Sequence, residues 1–93
     1  MQKKMMIAVY DIHSDDKRKI FSDTFENYGR RVNLSVFEIF LTKAQFNKLQ
    51  LELIPLIEPK EDTLIFYEIC KDCFSKTIYV PEKNIETDTV LWI

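Results

Sequence analysis

The chain has 93 residues, 46% of them hydrophobic and 30% charged, with a net charge of −2, the size and balance of one globular domain. No apolar run approaches the roughly 20 residues that a membrane helix needs, and the opening MQKKMMIAVYD turns polar too soon for a secretory leader; a cytoplasmic protein with no membrane partner is expected. The acidic balance excludes nucleic-acid binding through bulk charge, so any such binding needs a local basic patch.

In chain order, MMIAVYD at 5–11 has strand-forming residues and no breaker. Ser14 can cap a helix, with Asp15 and Asp16 in its first turn. Ile20, Phe21, Thr24, Phe25 and Tyr28 recur at helical spacing, and Gly29 falls where a helix takes a left-handed stop, so a helix is predicted over 15–28. RRVNLSVFEIFL at 30–41 is rich in strand formers, but its alternation slips near Leu34–Val36, which a corner or bulge explains. Thr42 with Gln45 forms a capping box for a second helix over 43–56, whose apolar face is Phe46, Leu49, Leu53, Ile54 and Ile57 and whose last turn Pro55 makes irregular. Strands are expected at 63–69 (TLIFYEI) and 76–80 (KTIYV), and a last one at 88–93, ending TVLWI.

Split at the slip, this order reads βαββαβ with an additional C-terminal strand: an α+β, ferredoxin-like single domain over 1–93, with its core at 5–80. The strands are apolar on both parities, as in Met6, Ala8 and Tyr10 against Met5, Ile7 and Val9. Two helices cover one face of a sheet only. The other face needs a partner, and a second copy of the chain is the simplest one. A homodimer is expected, with the terminal strand paired rather than left bare.

The densest charge lies in VYDIHSDDKRK, residues 9–19. Asp11 ends the first strand, a rigid place for chemistry. It reads either as a polar strand end or as a metal ligand. Mg2+ takes one or two carboxylates plus waters and phosphate oxygens, so one Asp11 is a poor site and two across a dimer axis an adequate one, suited to phosphodiester hydrolysis. His13 is a lone loop histidine. Lys17, Arg18 and Lys19, then Arg30 and Arg31, with Lys3 and Lys4, read either as solvated charge or as phosphate contacts that a dimer doubles into a track. Tyr10 and Phe37 read as core or as rings flanking the site and stacking on bases. Cys70 and Cys73 form a lone C-x-x-C, too few ligands for zinc, and read as small apolar residues at a strand end, with redox pairing or metal binding left open.

VYDI, then DDKR, then YGRRV and SVFE, then TLIFYEIC with KDC behind it, resembles the CRISPR-associated protein two family. The resemblance implies a ferredoxin-like homodimer whose tail strand joins the partner's sheet. It also implies a metal-dependent endonuclease acting on RNA or double-stranded DNA, and a scaffold that bridges copies of the CRISPR integrase during capture of DNA protospacers. The family's metal-binding aspartate falls on Asp11 and its neighbouring tyrosine on Tyr10. Its helix-one basic residue falls on Arg18, with Lys19 beside it, and its arginine and phenylalanine around SVF on Arg31 and Phe37. Other readings are a toxin-like messenger-RNA ribonuclease of similar fold, a purely structural adaptor, and a small-molecule-binding regulator that lacks its glycine-rich loops.

Overall fold

A computed structural model describes residues 2–80. β1 (Lys4–Asp11) sends Met6, Ala8 and Tyr10 to one side of the sheet and, by the two-residue period of a strand, Met5, Ile7 and Val9 to the other. α1 (Asp15–Glu26) begins at Ser14, whose hydroxyl accepts from the Lys17 N–H at 3.4 Å. Asp15 and Asp16 occupy its first turn, where the helix dipole favours acids. Of the expected apolar stripe, Phe21 and Phe25 are fully buried, whereas Ile20 faces solvent.

The end of α1 differs from expectation. The helix closes at Asn27 in right-handed conformation, its N–H reaching the Thr24 and Phe25 carbonyls. Gly29 is already the first residue of β2 (Gly29–Asn33), paired with Ile39 of β3 (Val36–Leu41). Its backbone is not left-handed; an added Cβ would lie 1.8 Å from the Glu38 carbonyl oxygen. Glycine is needed here for close strand approach, not for a helix stop. The slip in alternation is real: Leu34 and Ser35 form a turn, and the β2–β3 register shifts between Arg31 and Asn33.

α2 (Lys43–Leu53) starts with the reciprocal capping box, Gln45 N–H to Thr42 Oγ1 at 3.2 Å and Thr42 N–H to Gln45 Oε1 at 2.8 Å. Pro55 then tightens the chain into a 3-10 turn, Ile54–Leu56, because it has no N–H to extend the α-helical ladder. β4 (Thr63–Ile69) follows, and then an unanticipated short helix, α3 (Lys71–Ser75), capped by the Cys70 sulfur.

The strand expected at 76–80 does not form. A strand exists only beside a neighbour with free backbone groups; α3 instead turns the chain onto the sheet, and Tyr79 reaches Glu38 and Arg30 of β3 and β2. The expected strand at 88–93 lies outside the described residues.

The sheet is antiparallel throughout, in the order β2-β3-β1-β4. With α1 and α2 on one face this is the expected ferredoxin-like α+β arrangement. The main core lies under the helices and joins Tyr10, Phe21, Phe25, Phe37, Leu49 and Leu53. On the other face Met5 and Phe40 pack against Phe74 of α3, the two rings edge to face at 5.9 Å. No helix among the described residues is long and apolar enough to cross a membrane.

Candidate metal and phosphate site at the end of β1

Asp11 closes β1 opposite Thr63, the first residue of β4, and is exposed. It shares parity with Val9 and Ile7, and so stands at the rim of the face that α1 and α2 leave uncovered. Carboxylate oxygens are the hard donors that Mg2+ prefers. Among the described residues no three His, Cys, Asp or Glu side chains gather as a metal site.

The loop after Asp11 is anchored from below. Ile12 is buried in the core. The buried Asp62 carboxylate accepts the His13 backbone N–H at 3.0 Å through Oδ1 and the Glu58 N–H at 3.0 Å through Oδ2. The His13 ring sits beside it, Nδ1 to Oδ1 3.4 Å, and is itself 60% exposed. The two backbone donors, Glu58 first, and then the His13 ring hold the Asp62 carboxyl below the ordinary carboxylate range.

Three of the expected site residues converge nearby. Tyr10 and Phe37 are fully inside the helix-side core, ring centroids 6.3 Å apart. The Arg31 guanidinium lies 4.8 Å from the Phe37 ring centroid. Arg31 and Tyr10 both donate to the Leu34 carbonyl, at 2.6 and 3.5 Å, and Arg31 also reaches Ser22 and Glu26 of α1. Stacking of Tyr10 or Phe37 on bases is therefore corrected: buried rings offer no face to a base. Phe37 seats Arg31, and Tyr10 braces the β2–β3 turn.

The expected basic track is divided. Arg30 and Arg31 leave β2 on opposite faces. Arg30 pairs with buried Glu38 at 2.8 Å and donates to the Tyr79 hydroxyl at 3.0 Å, and Tyr79 donates to Glu38 at 2.6 Å. Burial first, and the Glu38 carboxylate second, push the Tyr79 phenol up to about 12. Arg18 pairs with Asp15, and Lys19 with Asp23 at 2.8 Å. These exposed helix pairs are weak. Lys17, on the same turn, has no carboxylate within ion-pair distance among the described residues.

The family model described as CRISPR associated protein Cas2 matches residues 4–77. A CRISPR-associated endoribonuclease Cas2 from Synechocystis is 43% identical over 65 residues, covering 70% of this chain and 71% of the relative. The chain belongs to the Cas2 family. Among solved structures, Streptococcus pyogenes Cas2 at pH 6.5 superposes with a TM-score of 0.72 at 26% identity, covering 81% of this chain and 96% of that one. A chain of a partial Cas6-RT-Cas1–Cas2 complex gives 0.70 at 28% identity, covering 84% and 91%. The Cas2 match spans both Asp11 and the Arg31 cluster.

Sequence reading of this Cas2-family chain missed Asp62, Glu38 and Tyr79. Asp62 sits in EPKEDT, indistinguishable from a solvated loop. Glu38 carried a signal: an acid between Phe37 and Ile39, on a strand otherwise apolar, needs a buried counter-charge.

Proposed function

We propose that this Cas2-family chain works in CRISPR adaptation, in the cytoplasm, as a homodimeric scaffold for a Cas1-type integrase, and that the dimer carries a Mg2+-dependent nuclease site for RNA or double-stranded DNA built from two Asp11 carboxylates. The name of the Synechocystis relative supports the nuclease half, and the Cas1–Cas2 complex among the similar structures supports the scaffold half. The observation that carries the reading is the place of Asp11, at the rim of a sheet face where Ile65 and Tyr67 stand open, 43% and 53% exposed. A second copy laid on that face covers apolar surface and brings the second carboxylate to the first.

Ile78 and Val80, 84% and 90% exposed, flank the inward-pointing Tyr79. They are apolar residues at strand spacing that a partner's sheet edge would cover. Bound Mg2+ would supply charge for a phosphoryl oxygen and lower the pKa of a water. The chain's own residues do the rest. Asp11 fixes the ion from a rigid strand end, the Asp62 anchor holds the loop behind it, and Lys17, Arg18 and Lys19 receive the phosphate backbone. Arg31 holds the β2–β3 turn beside them.

The test is the Asp11→Asn protein, rigorously purified. It loses divalent-dependent cleavage and keeps integrase binding in a pull-down. Unchanged cleavage would remove the enzymatic half. Truncation before Thr87 is expected to harm assembly and spacer integration more than Asp11→Asn does, and equal integration by the truncated protein would remove the role given to the tail.

A further inference from the structure

At the opposite end of β1 from Asp11, Cys70 lines a cavity of about 290 Å³ together with Lys3, Lys4, Lys43 and Lys71. These residues come from the start of β1, the first turn of α2 and the junction of β4 with α3. The carboxylate in the cavity wall, Glu68, is 3.6 Å from Lys4, both half-exposed. Lys3 and Lys43 have no carboxylate within ion-pair distance among the described residues. On a chain of net charge −2, this is a local basic pocket with a thiol in its wall.

That thiol is one of a pair. Cys70 and Cys73 are both free and exposed, and the Cys70 sulfur accepts the Cys73 N–H at 3.2 Å. The i, i+3 spacing across the first turn of a helix gives the two residues a Cα separation that a disulfide can span. We propose that Cys70 and Cys73 are a redox-active dithiol, and that the lysine pocket receives an anionic low-molecular-weight disulfide as its exchange partner.

The roles follow from the surroundings. The Cys73 side chain and then the Cys73 N–H, which donates to the Cys70 sulfur, hold the Cys70 thiol below its usual range, while Cys70 pushes the Cys73 thiol up. Asp72, the acid beside Cys70, is drawn to Lys76 at 3.0 Å. Cys70, which lines the pocket and accepts the Cys73 N–H, is the attacking sulfur and Cys73 the resolving one. The Cys70 thiolate attacks one sulfur of the small disulfide, forming a mixed disulfide and releasing one thiolate. Cys73, losing its proton to solvent, attacks the Cys70 sulfur, forms the Cys70–Cys73 bond and releases the second thiolate. Two electrons pass from the protein to the small disulfide. The site is the thiol pair with its pocket, and it is independent of the nuclease reading.

The test uses the full chain, with oxidised glutathione as the anionic disulfide and bis(2-hydroxyethyl) disulfide as the neutral one, read by intact mass and peptide mapping. Wild type is expected to lose both free thiols and carry no adduct. Cys73→Ser traps glutathione on Cys70, and Cys70→Ser reacts about 10-fold more slowly. The Lys3→Gln, Lys43→Gln double variant slows reaction with glutathione by roughly 3-fold and leaves the neutral disulfide unaffected. Circular dichroism checks that each variant is folded. Two thiols that stay free in the folded protein under excess glutathione disulfide overturn the proposal, as does equal reactivity of Cys70→Ser and Cys73→Ser. Equal slowing with both disulfides overturns the role of the lysines.

Discussion

The two faces of the sheet solve the same problem by different means. Under the helices, Tyr10, Phe21, Phe25 and Phe37 form a closed aromatic cluster with centroid spacings of 5.6 to 6.3 Å. On the other face the buried apolar cluster among the described residues is Met5, Phe40 and Phe74, and Ile65 and Tyr67 remain open. β1 contributes to both. A strand apolar on both sides says that both faces are to be covered, without saying by what. Nearby helices cover one; among the described residues a short helix and one tyrosine cover part of the other.

This contrast can be broken by substitution. Phe25→Ala is expected to cost about 3–5 kcal/mol in urea unfolding, the usual cost of emptying a packed aromatic site. A cost below about 1 kcal/mol would mean that the helix-side core is not the main source of stability. Arg30→Ala, on the opposite face, strands the buried Glu38 carboxylate and is expected to cost about 3 kcal/mol, more than any change in the open part of that face. Tyr79→Phe removes the hydroxyl that bridges Arg30 and Glu38 and is expected to cost about 1 kcal/mol.

The same bridge has a pH signature. Burial and then the Glu38 carboxylate push the folded phenol up to about 12, from an ordinary value of 10.0. The folded state therefore holds that proton more tightly than the unfolded state does. The stabilisation is fully present below pH 10 and is lost as pH rises from there through 12; Tyr79→Phe should flatten that decline. Asp62 has the opposite sign. The Glu58 and His13 backbone donors hold its carboxyl below the ordinary carboxylate range, so its contribution is present above that range and is lost as pH falls through the folded pKa. Asp62→Asn should remove this part of the acid transition. The smallest effect belongs to Ile65→Ala, expected to change the stability of a single chain by less than about 1 kcal/mol while weakening self-association in sedimentation. Unchanged association would show that the open face is not the dimer surface.

The fold was legible because its signals are local. Ser14, the Thr42–Gln45 box and Pro55 each act within a few residues, and each stands where the sequence placed it. The slip at Leu34–Val36 announced the β2–β3 turn. Gly29 misled because one residue type serves two needs, a left-handed backbone and the absence of a side chain. Only the position of Glu38 across the ladder decides between them. The segment at 76–80 has strand composition, but pairing is a property of two segments and no composition reports it. Asp11 stands at the strand end where the sequence placed it. The seating of Arg31 on Phe37, the burial of Asp62 and the separation of Arg30 from Arg31 depend on contacts between segments far apart in the chain.

β1 lies between β3 and β4, with Met5 paired to Phe40 on one side and Ile69 on the other. During synthesis the first of these pairings becomes available early, but the second must wait until residue 69 has left the ribosome. For that interval the nascent chain presents a strand apolar on both faces with one flank bare, and speed of translation through the second helix sets how long the exposure lasts.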